Sequence, residues 1–299
     1  MNGDLFIYCA EFKEEDLQDD QKRDGQRAGA YLASQQVPIA AVYYQGQPPF
    51  KELSHKLVKA MGCGIHKAQV LEDGNGLRRC VAKKNKPILL VGSKAHMRAL
   101  AQETLNIVDA QLIRPGLIGL RRKGGKKEQQ RWSVCAYLQR SDLPRLFAFP
   151  APDGPERRKR PAYYYTQSAV VPYKRVGDEL KVLVIGSSKR KHLVVPKGIH
   201  EPGLSAQESA AKESFEEAGA SGPVAEAPLG HYTYKKWGAE CTVFVYAQQV
   251  EALAPQEDWE ESHRGRQWMQ PAQAAQRVKD PALGAMILRL EQYIEKEQV

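Results

Sequence analysis

The 299-residue chain has few cysteines, no long apolar run and no internal repeat. The five cysteines are scattered, odd in number and without a CxxC pair: Cys9, Cys63, Cys80, Cys135 and Cys241. This pattern disfavours a disulfide framework and a zinc site, and it predicts reduced thiols in a cytoplasmic protein. No apolar run approaches the roughly 20 residues of a membrane helix, so no membrane partner is predicted. The first apolar run is six residues long and precedes acids, unlike a signal peptide.

The positive charge is concentrated in the front half of the chain. Residues 1–150 hold 24 Lys and Arg against 15 Asp and Glu, whereas residues 161–299 hold 16 against 18. A basic surface of this kind attracts nucleic acid, polyphosphate or another anion. A solvated basic face that binds nothing is the alternative interpretation. Nucleic acid is therefore a candidate partner, although no RNA-binding motif is visible in the sequence.

Composition changes near residues 150–160 and predicts a domain boundary there. The stretch FAFPAPDGPERRKRPAYYY passes from apolar residues to Pro, Gly and charge, and then to aromatic residues. We predict a first domain over 1–150, a basic Pro/Gly linker over 151–160 and a second domain over 161–299. The other biased segment, residues 119–131, has Gly124-Gly125 between basic flanks and predicts a hairpin tip.

Strand and helix signals in the second domain predict a mixed α/β fold. Ser205 and Glu208 form an S-x-x-E capping box, and Gly219 is a C-terminal stop signal, so a helix is predicted over Ala206–Ala218. The predicted strands are 161–174, 180–188, 192–198, 229–234, 241–250 and 266–269. Two C-terminal helices are predicted over 271–278 and 281–297.

Three acids of the predicted helix, Glu213, Glu216 and Glu217, are spaced i, i+3 and i+4. Side chains at this spacing are neighbours, and like charges there destabilise a helix by a few tenths of a kcal/mol per pair. A hard divalent cation would offset that repulsion, because Mg²⁺ prefers oxygen ligands. An ordinary exposed acidic face is the alternative.

Residues 198–220 resemble the Nudix box, G-x5-E-x7-R-E-U-x-E-E-x-G-U, in which U is aliphatic. The positions that match, at intact spacing, are Gly198, Glu213, Glu216, Glu217 and Gly219. Three positions depart: Leu204 replaces the first Glu, Lys212 replaces Arg, and Ser214 takes an aliphatic position. Because the first acid and the Arg are lost together, neither is left unpaired. Leu204 is expected to pack the loop, and Ser214 to return its hydroxyl to a helix carbonyl.

The resemblance extends over residues 160–299, through VLVIGSSKRKHLVVPKG, GHYTYKK and DWEESHRGRQWM. These segments resemble the diphosphoinositol polyphosphate phosphohydrolase branch, to which diadenosine polyphosphate hydrolases are related. The resemblance implies an α/β/α Nudix sandwich with a mixed sheet. It also implies attack of water on a phosphoanhydride with bound Mg²⁺, for which Mn²⁺ is an alternative.

Site roles follow from the same resemblance. It implies that Glu213, Glu216 and Glu217 bind the metal and that Glu213 or Glu217 acts as the base. The carbonyl of Gly198 is a further candidate ligand. An additional acid from a later loop is expected, either Glu261 or Glu260, although both also suit a plain acidic surface.

Capture of a phosphate-rich substrate requires cations. Lys197 ranks first because it lies beside the box glycine. The KRKH segment also suits a solvated turn, and alternating Tyr232 and Tyr234 suit strand packing as well as stacking on a base. Trp237, Trp259 and Trp268 are interpreted as structural. The candidate substrate-binding residues are Lys197, Lys189, Arg190, Lys191, Lys235, Arg264 and Arg266, with His192 and Lys236 beside them.

Alternating strand and helix signals over about 3–145 predict a three-layer α/β first domain with a mostly parallel sheet. The order resembles the small phosphohistidine phosphatases of the histidine phosphatase superfamily. Their first strand ends in Arg-His-Gly and a later strand in Gly-His, where this chain has Cys9-Ala10-Glu11 and Gly92-Ser93. Ala10 cannot be phosphorylated and Ser93 cannot replace an imidazole, so we predict an inactive pseudo-phosphatase. The other histidines do not restore the pattern: His55, His66 and His96.

Such an inactive domain would serve as a scaffold, as a dimerisation surface or as a basic shelf for anionic substrate. Two classes of function follow for the whole chain. One is a Mg²⁺-dependent Nudix hydrolase that cleaves a phosphoanhydride of a diphosphoinositol polyphosphate or a dinucleoside polyphosphate. The other is a non-catalytic polyphosphate- or RNA-binding protein that keeps the Nudix shape. Removal of pyrophosphate from RNA 5′ ends is a mixed case that no motif supports, and the sequence is compatible with a homodimer.

Overall fold

The computed structural model describes residues 4–12, 16–71, 87–103, 107, 112–123, 131–152 and 154–297. Cys80 and the predicted hairpin tip at Gly124-Gly125 lie outside these residues. The chain forms two compact units, Met1–Ala162 and Tyr163–Val299. None of the four described cysteines forms a disulfide bond.

Six strands form the central sheet of the first unit: β1 (Leu5–Cys9), β2 (Ala41–Gln45), β3 (Ala68–Leu71), β4 (Ile88–Gly92), β5 (Gly116–Lys123) and β6 (Arg131–Leu138). Their order is β3-β2-β4-β1-β5-β6. The first four strands pair in parallel, and β5 and β6 add an antiparallel edge. β1 and β4 are buried along their whole length, which explains their uninterrupted apolar sequence.

Helices cover both faces of this sheet. Successive side chains of a strand point to opposite faces. Leu5 and Ile7 therefore pack in one core with Met97, whereas Phe6 and Tyr8 pack in another with the first two helices. The three-layer α/β arrangement predicted for the front half is confirmed. Within the described residues, the helices of this unit are α1 (Asp19–Ser34), α2 (Pro48–Ala60) and α3 (Lys94–Glu103).

Part of the segment predicted as a linker over 151–160 forms a strand in the structure. Two short antiparallel strands, β7 (Phe147–Phe149) and β8 (Glu156–Arg158), form a hairpin within the first unit. The guanidinium of Arg158 lies 3.4 Å from the ring centroid of Phe149, a contact that composition alone does not reveal. The division between the units falls after Ala162, beyond the predicted linker.

The second unit is built on a seven-stranded mixed sheet. β9 and β15 pair in parallel, and the other pairs of the sheet are antiparallel. The order is β11-β10-β9-β15-β14, with β12 also paired to β9 and β17 to β10, while β13 and β16 form a separate pair. The bounds are β9 (Thr166–Val176), β10 (Glu179–Gly186), β11 (Leu193–Val194), β12 (Lys197–Ile199), β13 (Ala220–Ser221), β14 (Gly230–Lys236), β15 (Ala239–Gln249), β16 (Ala252–Leu253) and β17 (Arg266–Met269).

Helices also cover both faces of this second sheet: α4 (Ala206–Ala218), α5 (Pro271–Arg277), α6 (Pro281–Leu288) and α7 (Leu290–Glu297). Val170 of β9 packs with Ala210 of α4, whereas Ala169 and Val171 pack with residues of the C-terminal helices. The expected α/β/α sandwich is therefore confirmed. The helix predicted over 281–297 is interrupted at Arg289, where φ is −91° and ψ is 0°.

The ends of α4 match the sequence signals. The Ser205 hydroxyl accepts from the Glu208 N–H at 3.1 Å, and the Glu208 carboxylate accepts from the Ser205 N–H at 2.7 Å. Gly219 ends the helix with φ at 61°, in the left-handed region that favours glycine. These caps fix where each acid of the helix lies along its axis.

Among the described residues, no helix is long and apolar enough to cross a bilayer.

Candidate active site

A cavity of about 530 Å³ opens in the second unit beside α4 and β12. Two carboxylates, Glu213 and Glu217, lie in its wall. The turn between β10 and β11 and the end of β14 contribute cations to the same cavity. The lining cations are Lys189, Lys191, Lys197, Lys236 and Arg264. This arrangement can hold an anionic ligand above a pair of acids.

Strand β12 brings the backbone against both acids. A Cβ on Gly198 would lie 1.9 Å from Oε1 of Glu213, so the carboxylate occupies the space that the missing side chain leaves. The N–H of Lys197 donates to Oε2 of Glu217 at 3.1 Å. Since Glu213 and Glu217 are one helical turn apart, a short strand laid along α4 reaches both.

Desolvation raises the pKa of both Glu213 and Glu217. The pKa of Glu213 is raised to about 7 by desolvation and then by repulsion from Glu217, and Lys212 partly opposes the shift. The pKa of Glu217 is raised to about 7 by desolvation, against the opposing effects of Arg264 and the Lys197 N–H. Two carboxyls that titrate near neutral pH in one cavity are typical of a catalytic or cation-binding site.

Arg264 joins Glu217 to Glu261. Its Nη2 atom donates to Oε1 of Glu217 at 2.8 Å, and its Nε atom donates to Glu261. The N–H of Glu261 donates to the Glu216 carbonyl at 3.1 Å, which ties the later loop to α4. The structure thus brings Glu261 close to the helix acids, whereas Glu260 is exposed.

Comparison with known proteins identifies the family. The model of the NUDIX domain matches residues 165–290. Nudix hydrolase 18, mitochondrial, of Arabidopsis thaliana is 37% identical over 122 residues, which cover 38% of this chain and 68% of the relative. The chain belongs to the Nudix hydrolase family.

Other Nudix relatives match the same half of the chain. Nudix hydrolase 13, mitochondrial, of A. thaliana is 31% identical over 132 residues, covering 36% of this chain and 63% of the relative. The C. elegans Ap4A hydrolase structure is 19% identical, with 44% of this chain and 98% of that chain covered and a TM-score of 0.36. A NUDIX hydrolase structure from Nitrosomonas europaea is 22% identical, with 43% and 88% covered and a TM-score of 0.36.

Two of the three departures from the Nudix box, Lys212 and Ser214, have local explanations. The Nζ atom of Lys212 lies 2.6 Å from both carboxylate oxygens of Glu216, so the lysine is paired within the helix. Leu204, which is expected to pack the loop, is 39% exposed. The Ser214 hydroxyl donates to the side chain of Gln248 on β15 and not to a helix carbonyl, because position 214 faces the sheet.

Some of the predicted substrate-binding cations line the cavity, and others do not. Lys189, Lys191 and Lys197 line the cavity, as expected. Arg190 is in the same turn, with φ at 51°, but does not line it. Lys235 also lies outside the wall, because the alternation of strand side chains gives that place to Lys236.

Two of the three predicted arginines, Arg264 and Arg266, have other partners. Arg264 lines the cavity, but its guanidinium is bound to Glu217 and Glu261. Arg266 donates to the carbonyls of Ala218 and Ala254 at 3.0 and 2.8 Å and stacks on Trp259. The guanidinium of Arg266 therefore satisfies the C-terminal end of α4, where carbonyls lack helical partners. The prediction that it binds substrate has no support in the structure.

The cavity also has an aromatic wall and a glutamine that the sequence does not predict. Trp237 and Tyr164 line the cavity and meet edge to face, with ring centroids 5.2 Å apart. Trp237 and Gly238 form the two-residue turn between β14 and β15, with φ at 52° and 80°. Two-residue hairpin turns of this kind require positive φ at both central residues, and this turn places Trp237 in the wall of the cavity. Gln167 accepts from Tyr234 at 2.8 Å and from Lys197 at 3.3 Å.

The acid pair fits a hard cation. Glu213 and Glu217 repel one another, and both offer carboxylate oxygens, the ligand type that Mg²⁺ prefers, next to the backbone of Gly198. Among the residues that the structure describes, however, no group of three or more His, Cys, Asp or Glu forms a metal cage. The reason is visible: Glu216 is held by Lys212, and Glu261 by Arg264.

Stabilisation by Mg²⁺ should grow with pH. Because the pKa of Glu213 and Glu217 rises from 4.5 to about 7 on folding, their contribution to stability is full below pH 4.5 and is lost as the pH rises through 7. A cation bound to both carboxylates opposes that loss. We expect the Tm difference between Mg²⁺ and EDTA to be small at pH 5 and larger at pH 8, as measured by scanning calorimetry.

The control is the double variant Glu213→Gln/Glu217→Gln, in which the Mg²⁺ effect should not grow with pH. An equal Mg²⁺ effect at pH 5 and pH 8 in the unaltered protein would contradict this account.

Proposed function

We propose that the second unit is a Mg²⁺-dependent hydrolase that cleaves a phosphoanhydride bond of a polyphosphorylated small molecule, with Mn²⁺ as an alternative ion. The observation that carries the proposal is the pair of buried Glu217 and half-buried Glu213 in the wall of a cavity whose other charged side chains are cations. Acids that titrate near pH 7 suit proton transfer, and cations suit phosphate binding.

The metal would be held by Glu213 and Glu217 with the carbonyl of Gly198. Glu216 and Glu261, which are paired with Lys212 and Arg264, are further candidate ligands. When bound, the ion supplies charge neutralisation and polarisation of a phosphoryl oxygen. Oxygen ligands alone favour Mg²⁺ or Mn²⁺ over softer metals.

Glu213 is the residue that we assign as general base. Both oxygens of Glu217 accept hydrogen bonds, from Arg264 and from the Lys197 N–H. Among the described residues, none donates a hydrogen bond to the Glu213 carboxylate, which leaves its oxygens available to a water. Without a bound cation, desolvation raises the pKa of Glu213 to about 7, and the ionised carboxylate is the form that accepts a proton from water.

Cations around the cavity would bind the phosphates. Lys197 is positioned by Gln167 and Tyr234, at 3.3 and 3.4 Å from its Nζ atom. Burial lowers the pKa of Lys197, and so does the nearby Lys236. A substrate phosphate beside Lys197 would favour its ammonium form and so oppose both effects. Lys197 is therefore the first candidate for phosphate binding. Lys189 and Lys191 are exposed in the turn between β10 and β11 and would meet the outer phosphates.

The aromatic wall favours a nucleotide. Base–aromatic stacking contributes about 1–3 kcal/mol per base. Trp237 is held at the rim by Tyr164 and by the ammonium of Lys236, 4.2 Å from its ring centroid. We therefore propose a dinucleoside polyphosphate type of substrate, with a diphosphoinositol polyphosphate as the alternative that the sequence resemblance supports.

A non-catalytic polyphosphate- or RNA-binding protein is the second candidate. The basic first unit favours it, whereas the acid pair favours the enzyme.

For the first unit we propose a catalytically inactive relative of phosphohistidine phosphatases, since β1 and β4 end side by side at Cys9 and Gly92 without a histidine. Phosphohistidine hydrolysis that survives Glu216→Gln/Glu217→Gln would overturn that proposal. A cytoplasmic location and a homodimer remain proposals, testable by fractionation and light scattering.

Glu213→Gln should reduce kcat by about 10²–10⁴-fold, the usual contribution of a general base. The assay is Mg²⁺-dependent hydrolysis of diadenosine polyphosphates, diphosphoinositol polyphosphates, ADP-ribose, nucleoside triphosphates and triphosphorylated RNA, with products separated by chromatography. Glu260→Gln, an exposed acid outside the cavity, is the matched control and should retain the kcat of the unaltered protein. If no compound is hydrolysed with Mg²⁺ or Mn²⁺, the result would favour the non-catalytic polyphosphate- or RNA-binding function.

Trp237→Leu should separate the two substrate types. Loss of stacking is expected to lower kcat/KM for diadenosine tetraphosphate by about 5- to 150-fold, equivalent to about 1–3 kcal/mol. The kcat/KM for a diphosphoinositol polyphosphate should not change, and Trp237→Phe should retain most activity on the nucleotide. An equal loss on both substrates would show that Trp237 acts only in the fold.

A further inference from the structure

A second cavity, of about 710 Å³, lies wholly within the first unit. Every charged residue in its described wall is a cation, and no Asp or Glu lines it. A cavity of this volume accommodates a nucleotide-sized molecule. The six cations are Arg27, Lys94, Arg98, Arg114, Arg140 and Arg145.

The topology of the sheet brings these cations to one edge. Lys94 and Arg98 follow the end of β4, Arg114 precedes β5, and Arg140 and Arg145 follow β6. Cys9 at the end of β1 pairs with Gly92 of β4 on one side and with Gly116 of β5 on the other, so all these chain ends meet.

This edge is also where the connections diverge. After β1 the chain enters α1 on one face of the sheet, and after β4 it enters α3 on the other. Ligands of open α/β sheets bind in such a crevice, outside the carboxyl ends of the strands.

The acids near this cavity neutralise only part of its charge. Asp24 is paired with Arg27 and Arg140, and Asp20 binds Arg140 at 2.7 Å. Asp142 accepts from the backbone N–H of Gln139, and Glu11 lies near Cys9 without lining the cavity. Among the described residues, no acid lies within ion-pair distance of Lys94, Arg114 or Arg145.

Two further observations characterise the ligand. The wall has one aromatic ring, Tyr137, whose hydroxyl donates to the Pro115 carbonyl, so charge and not stacking dominates recognition. No described residue of the wall is a histidine or a cysteine. Cys9 behind it is buried, and burial raises the pKa of its thiol to about 12, so it is not a thiolate nucleophile.

We propose that this cavity is a non-catalytic binding site for a small molecule that carries two or more phosphate groups. Arg114, Arg145 and Lys94 would contact the phosphates directly, and Arg27 and Arg140 would support them while bound to Asp24. A concave cavity ringed by cations fits a compact polyphosphate better than a nucleic-acid strand, which would need an extended basic groove. The site does not depend on hydrolysis in the second unit.

The test is calorimetric titration of the full-length protein with inorganic tripolyphosphate, in EDTA and 0.15 M salt. Arg114→Gln/Arg145→Gln should weaken one binding event by at least about ten-fold, the effect of losing charge-assisted hydrogen bonds. Arg114→Lys/Arg145→Lys should recover part of the affinity. Both arginines are exposed, so these variants are expected to fold, and circular dichroism checks this.

Two matched controls distinguish this site from general charge and from the second unit. Lys51→Gln/Lys56→Gln removes two cations from α2 in the same unit, and Lys189→Gln/Lys191→Gln removes two from the other cavity. Neither should weaken the event that Arg114→Gln/Arg145→Gln weakens. Equal weakening by either control, or no binding by the unaltered protein, would overturn the proposal. Tighter binding of single-stranded RNA than of tripolyphosphate, lost in the same arginine variant, would reassign the site to nucleic acid.

Discussion

The burial of two carboxylates one helical turn apart is the constraint on which the second unit depends. Glu213 and Glu217 repel one another, and desolvation opposes the ionisation of both. The fold accommodates both acids because β12 lies against α4. Gly198 leaves space for the Glu213 carboxylate, and the N–H of Lys197 donates to Glu217. Any side chain at Gly198 would displace Glu213. The capping box and Gly219 hold α4 in the register that this contact requires.

The surroundings of the acid pair connect it to the rest of the unit. Arg264 binds Glu217 and Glu261 together, and Glu261 is hydrogen-bonded to the helix backbone. Arg266, two residues on, satisfies the end of the helix instead of facing the cavity. The same short loop therefore contacts the acid pair through Arg264 and the end of α4 through Arg266.

Local signals were enough to predict α4, both of its ends and the acids that face the cavity. Side-chain direction was harder to predict, because it depends on tertiary placement. Because strand side chains alternate, Lys236 and not Lys235 lines the cavity. Arg266 donates to a carbonyl at the end of α4 and does not face the cavity. Trp237 was interpreted as structural because the sequence does not reveal that its turn lies at the rim of a cavity. The sequence does not predict the hairpin of β7 and β8, because the Pro and Gly content of this segment resembles that of a linker.

The central claim is that Glu213 and Glu217 together bind a divalent cation. The most direct measurement is electron paramagnetic resonance of Mn²⁺ titrated into the full-length protein, which counts free ions and gives both stoichiometry and Kd. The account predicts saturable binding of at least one Mn²⁺ that Mg²⁺ displaces and that Glu213→Gln/Glu217→Gln abolishes, whereas Glu260→Gln does not change it. Mn²⁺ binding that is unaltered in the double variant, or no binding by the unaltered protein, would contradict it.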